Sequence, residues 1–247
     1  MMNSMNALEI NGGRVDQGKV AKLTLPSTER GYADAQLDDY HGFRRKDFRW
    51  QPGCEMTLKA RFSHERGELA GTAGFGFWNA PFGDPSYRWP ALPQAAWFFY
   101  ASHHSDLPLA HEGPGRGWFV STIDSRQAKA VVLAPLAPFL VILNNVSRLR
   151  RSIWPFIRRQ LKISYRSLDI DMACWHSYRL CWTKDKCEFW VDEWRVYTTS
   201  FSPNGPMGFV CWIDNQYLVA KPTGAFRWGT IPIESEQWLE ISGFDIS

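Results

Sequence analysis

Short runs in which apolar and polar residues alternate, separated by clusters of Gly, Pro and Asn, fill residues 50–125 and 174–246 of the chain. A period of two sends successive side chains to opposite faces of an extended strand, so this is the pattern of an antiparallel sandwich. Strands are expected near 54–62, 72–79, 94–101, 117–123, 175–183, 187–192, 194–199, 207–214 and 238–246. The first thirty residues are weakly patterned and are expected to supply an edge strand or an arm. A β-sandwich of 247 residues folds as one unit, so a single domain over 1–247 is expected.

Parity then sorts side chains between core and open face. In 207–217, Phe209, Cys211 and Ile213 share the core parity, while Val210, Trp212, Asp214 and Gln216 fall on the other. An aromatic ring, a carboxylate and an amide on one stripe read as a binding surface, because the ring offers a stacking plane and the polar tips fix orientation. In 72–79, Phe75 and Phe77 are core, and Gly74, Gly76 and Trp78 face away. Paired glycines let a ligand or another chain segment approach the backbone there. The bland alternatives are an ordinary decorated sheet face and a tryptophan covered by other parts of the chain.

One segment breaks the β rhythm. Residues 128–143 are almost wholly apolar and are followed by a stretch rich in arginine that carries Ile153, Trp154, Phe156, Ile157, Leu161 and Ile163. The run is too short for a membrane span, and Pro135 and Pro138 would end a helix inside it. A helical, basic-amphipathic insertion over 127–168 is therefore expected. It could be a lid over a ligand cleft, an arm lying on an anionic membrane surface through Arg148–Arg166, or an element packed on the outside of a sheet.

Net charge is +3, which by itself implies no nucleic-acid partner. Seven of the 28 basic residues lie between Arg148 and Arg166; without them 21 bases face 25 acids, so the body of the protein is mildly acidic. Five cysteines form neither a C-x-x-C pair nor a zinc-type cluster, and they read as small core residues of a reducing compartment. No basic stretch followed by an apolar run opens the chain, so a cytoplasmic location is expected. Thirteen Trp and sixteen Phe exceed ordinary usage and suit a thick core or an aromatic-lined groove. No phosphate loop, nucleophile elbow or dinucleotide fingerprint is present, and neither a cofactor nor a metal is implied. The histidines of 103–111 and the Asp38–His41 run read as loop and turn.

Trp175-His176-Ser177-Tyr178, followed by Phe189-Trp190-Val191-Asp192, resembles the Trp-His-x-Tyr strand and Phe-x-Val-Asp-Gly hairpin of the family-16 glycoside hydrolases. Glu193 stands where that family has Gly. The resemblance covers about 45–125 and 172–246, and it implies a concanavalin-A-like jelly roll whose Phe-Trp strand, here ending at Trp78, floors the sugar cleft. It also implies an acidic triad on the strand after a Trp-Pro loop. After Trp89-Pro90 this chain has Gln94, Ala95, Ala96, Trp97, Phe98, Phe99 and Tyr100, and from Ala70 to Ser105 the one acid is Asp84. A retaining glycosidase needs two carboxyl groups about 5–5.5 Å apart, so no catalytic role carries over.

The reading that follows is an all-β jelly roll with an aromatic cleft for an apolar or amphiphilic small molecule. Trp78, Gln94, Phe98, Tyr100, Trp212 and Gln216 are the expected ligand contacts. Asp214 is the expected lone acid of an isomerase-, cyclase- or hydratase-type step, with ring faces stabilising a developing cation. A carbohydrate-binding protein or glycosidase-like protein is the first alternative, and a peripheral membrane or interaction protein the second.

Overall fold

The computed structural model describes residues 5–81, 87–89, 91–107, 115–126, 155–156, 159, 161–220 and 226–247. In chain order the first strands are β1 (Asn6–Ile10), β2 (Arg14–Asp16), β3 (Val20–Leu25), β4 (Asp34–Asp38), β5 (Cys54–Phe62), β6 (Thr72–Trp78), β7 (Gln94–Ala101) and β8 (Gly117–Asp124). Then follow β9 (Ser164–Ser167), β10 (His176–Trp182), β11 (Cys187–Val191), β12 (Trp194–Thr199), β13 (Gly208–Asp214), β14 (Gln216–Ala220), β15 (Phe226–Thr230) and β16 (Gln237–Ile246). They build two seven-stranded sheets, ordered β1-β4-β13-β6-β7-β8-β9 and β12-β11-β10-β5-β16-β3-β2, with β14-β15 as a separate hairpin. All the strand pairs within these sheets are antiparallel. Among the described residues no helix is long and apolar enough to cross a membrane.

The inner faces of the two sheets enclose one aromatic core. Phe75, Phe98 and Trp118 of the first sheet meet Phe62, Tyr178 and Phe189 of the second, with ring centroids 5.0–5.9 Å apart. Each large side chain buried in this way contributes about 1.5–3 kcal/mol, and Leu, Ile and Met side chains such as Leu23, Leu58, Leu180 and Ile241 fill the core around the rings. The β11–β12 connection is a two-residue turn in which Asp192 and Glu193 take φ of 47° and 68°. Two positive φ values are what a type I′ hairpin turn requires, which is why Glu193 stands in a conformation that glycine adopts without strain. Asp192 steadies the turn by accepting from Ser177 N at 2.8 Å and bonding the His176 ring.

The first thirty residues supply the edge strands β1 and β2, as one of the two expectations had it, and also β3, which lies between β16 and β2; the next strand, β4, lies between β1 and β13 with all five residues buried. One expectation changes. The expected helical insertion over 127–168 is not seen as such. Residues 127–154 lie outside the described residues, and Ser164–Ser167 form a strand paired with β8 from Thr122↔Ser164 to Phe119↔Ser167. Ser164 explains the change, because its carbonyl and hydroxyl bond Ser121 and Thr122 at 2.7 Å, giving this short polar stretch a strand partner. Most of the Arg148–Arg166 segment likewise lies outside the described residues.

Candidate functional site

The outer face of the first sheet carries a cavity of about 430 Å³. Its floor follows from strand register. One row across the sheet is Asp34, Asp214, Thr72 and Ala101; the next is Gln36, Trp212, Gly74 and Phe99; then Asp38, Val210, Gly76 and Trp97; and last Gly208, Trp78 and Ala95. The two acids that line the cavity, Asp34 and Asp214, therefore lie at one end and the indoles of Trp97 and Trp78 toward the other. Trp212 bridges them, 5.1 Å from Phe99 and 5.7 Å from Trp97 between ring centroids.

The glycines of β6 make this floor possible. A Cβ at Gly74 would come within 2.9 Å of the Trp212 ring and 2.3 Å of the Phe98 carbonyl oxygen, so the space a side chain would need is taken by the neighbouring indole and strand. The segment that approaches the bare backbone is thus the protein's own. With its ring lying there, Trp212 donates from Nε1 to Thr72 Oγ1 at 3.0 Å, and Thr72 Oγ1 donates to Asp214 Oδ1 at 2.9 Å.

Asp214 Oδ1 also accepts from the backbone N–H groups of Thr72 at 3.2 Å and Gln216 at 2.9 Å. Burial pushes its carboxyl from the ordinary 3.8 up to about 7, against the pull of these donors toward the ionised form. It is not alone. Asp34 is its direct cross-strand partner and lines the same cavity. Directly opposed residues of an antiparallel pair have Cβ atoms about 4.5–5.5 Å apart. The expectation of a lone acid is corrected here, because β4 supplies a second carboxyl that a search confined to the strand after Trp89-Pro90 could not reach.

Of the residues expected to touch a ligand, Trp78, Gln94, Trp212 and Gln216 line the cavity with Asp214. Phe98 and Tyr100 do not. Both are fully buried in the core between the sheets, where Phe98 pairs with Phe75 in register and the Tyr100 hydroxyl donates to Leu69 O at 2.9 Å. Their strand neighbours Trp97 and Phe99 take the cleft positions instead. The run Ala95–Tyr100 places bulky rings on both parities, so alternation alone does not orient it; pairing of Phe98 with the core residue Phe75 does. Gln94 is a wall residue, its amide held by Asp124 Oδ1 at 2.9 Å and Arg126 Nη1 at 3.2 Å.

Sequence parity missed Trp97, Phe99, Asp34 and Gln36. Asp34-Ala35-Gln36-Leu37-Asp38 alternates polar and apolar residues, and that alternation was the signal for a sheet strand facing the cleft with its polar side. Asp38 marks the strand's end: its Oδ1 accepts from Tyr40 N at 3.1 Å and His41 N at 2.8 Å, the turn expected there. Among the described residues no cluster of three or more His, Cys, Asp or Glu could hold a metal ion.

The fold is a concanavalin-A-like β-sandwich with a ligand-sized cavity on the outer face of one sheet. No protein-family model matches the chain, and no curated protein matches it by sequence. Among solved structures it is similar to an endo-β-1,4-glucuronan lyase from the fungus Trichoderma reesei, at 11% identity over 98% of this chain and 90% of that one, with a TM-score of 0.51. It also superposes on the carbohydrate recognition domain of Emp47p, at 11% identity over 97% and 88% of the two chains and a TM-score of 0.46. A glycoside hydrolase family protein from Mycobacterium thermorestibile gives 12% identity, 92% and 76% coverage and a TM-score of 0.43. At these identities the likeness is one of fold.

Proposed function

We propose that the cleft binds an amphiphilic small molecule, its apolar body on the Trp78–Trp97–Phe99–Trp212 floor and its polar head at the Asp34/Asp214 end, where Asp214 acts as a proton donor. The observation that carries this reading is one cavity in which an aromatic floor ends at two adjacent carboxyl groups. Apolar surface dominates its lining, which favours an apolar body over a bare polyhydroxylated one. A carboxyl still partly protonated near pH 7 has the acidity that general acid catalysis uses best.

The apolar probe N-phenyl-1-naphthylamine tests the binding half of the proposal. Its fluorescence is expected to rise on titration with the parent protein, and Trp97→Ala and Trp212→Ala are each expected to weaken binding about tenfold, the equivalent of about 1.4 kcal/mol. Equal affinity for parent and both variants would remove the cleft as the ligand site.

The carboxyl pair also supports a second reading, action on a glycan. Directly opposed side chains of neighbouring strands have Cβ atoms about 4.5–5.5 Å apart, from which two carboxyl groups can reach the separation of about 5–5.5 Å used by retaining glycosidases. Nitrophenol release from a panel of nitrophenyl glycosides, lost in both Asp34→Asn and Asp214→Asn, would favour this reading over the first. Failure of the whole panel would count against it.

A further inference from the structure

Beside the Trp78 end of the cleft, two large rings project into solvent. Phe43 is 56% exposed and Trp89 is 71% exposed. They flank one shallow surface hollow with Tyr87, and the rest of its rim includes Arg44, Arg45, Lys46 and Arg88. These rings do not sit on free loops. Arg45 donates to the carbonyls of Asn79 at 3.1 Å, Ala80 at 2.7 Å and Trp89 at 2.8 Å, while its guanidinium covers the Tyr87 ring at 4.5 Å. The Tyr87 hydroxyl donates to Phe43 O at 2.9 Å. The segments bearing the two rings are thus tied to each other and to the residues that follow Trp78. Exposure here is a built feature of a fixed surface, not the result of a loop swinging out.

Among the described residues the rim of this hollow carries Arg44, Arg45, Lys46 and Arg88 and no acid. Asp47 pairs with Arg44 at 2.7 Å, and Asp39 is turned inward to accept from Phe209 N at 2.8 Å and Trp50 Nε1 at 2.5 Å. Arg88 lies over Trp89 at 5.4 Å, so one of these cations stands on an exposed aromatic face. Rings at the boundary of headgroups and acyl chains, with cations at the level of the headgroups, are the arrangement that binds an interface rich in anionic lipid. A polyanion without apolar or ring faces would use the cations and leave both rings in water, whereas an anionic bilayer engages both.

We propose that the Phe43–Trp89 surface docks the protein onto an anionic membrane, with both rings inserted and Lys46 and Arg88 against lipid phosphates. The docking stands apart from whatever the cleft binds, and it places the Trp78 end of the cleft next to the lipid.

The full chain, floated with phosphatidylcholine vesicles that contain or lack phosphatidylglycerol, tests this. The parent is expected to float with the anionic vesicles and not with the neutral ones. Phe43→Ser with Trp89→Ser is expected to lower partitioning at least about tenfold by removing the inserted apolar area. Lys46→Gln with Arg88→Gln is expected to lower it about fivefold per charge. All four side chains project from the surface, and near-UV circular dichroism matching the parent would confirm that the variants are folded. Absence of the parent from anionic vesicles at low salt overturns the proposal. So does binding that the ring variant retains in full, whether the charge variant retains it or loses it: the first result places the contact elsewhere, such as Arg148–Arg166, and the second makes it charge attraction without insertion.

Discussion

Asp214→Asn is expected to make the protein more stable at pH 8, relative to pH 5, than the parent is. The sign follows from linkage: the folded carboxyl holds its proton up to about 7, whereas in the unfolded chain it ionises near 3.8. Between those values the folded state binds the extra proton, so stability is fully present below pH 3.8 and is lost as pH rises through about 7. At about 1.4 kcal/mol per pH unit, the loss between pH 5 and about 7 is on the order of 3 kcal/mol. Asparagine keeps an oxygen for Thr72 and Gln216 to donate to but has no proton to lose, so this share of the pH dependence should vanish. Urea unfolding of both proteins at pH 5 and pH 8 measures it directly. Parallel pH dependence in the two would mean that Asp214 titrates like an ordinary surface carboxylate and is unsuited to the proton-donor role.

The second large effect separates the two faces of β7. Phe98→Ala should cost about 3–5 kcal/mol, because its ring lies in the core against Phe75, Trp118, Tyr178 and Phe189 and the sheets cannot collapse onto the space it leaves. Trp97→Ala, one residue earlier and facing the cleft, should cost less stability and should lower affinity for the naphthylamine probe. Urea midpoints and probe titrations on the same two variants give both numbers. If Phe98→Ala unfolds at the parent's midpoint and loses probe binding, the assignment of faces is reversed.

These contrasts show where sequence patterning succeeds and fails. Parity oriented β6 through Phe75 and Phe77 against Gly74 and Gly76, and β13 through Phe209, Cys211 and Ile213 against a stripe that runs from Val210 and Trp212 to the polar Asp214. It could not orient β7, whose rings occupy both sides, and there the choice fell to hydrogen-bonded register with β6. The Trp-His-x-Tyr strand and its hairpin were legible for a related reason. A two-residue turn between alternating strands is a local feature, and Asp192 and Glu193 adopt it even without the usual glycine.

Asp34 shows the limit more sharply. Nothing near residue 34 speaks of residue 214, and the 179 positions between them carry most of both sheets. An expectation built on carboxylates sharing one strand found none after Trp89-Pro90 and inferred that the cleft held a single acid. Pairing of β4 with β13 supplies the second from a distant part of the chain.

The residue pattern alone therefore determined the all-β class, the positions of most strands from 54 onward, the β11–β12 turn, and the stripe bearing Trp78, Trp212 and Asp214, since each depends on a period of two or on a local turn. Tertiary structure alone decided that β3 and β4 lie inside their sheets, that Trp97 and Phe99 rather than Phe98 and Tyr100 floor the cleft, and that Asp214 faces Asp34. The physical reason is that a strand's own alternation fixes only which residues share a face, while hydrogen bonds to neighbours far along the chain fix which face meets the core and which side chains stand opposite one another.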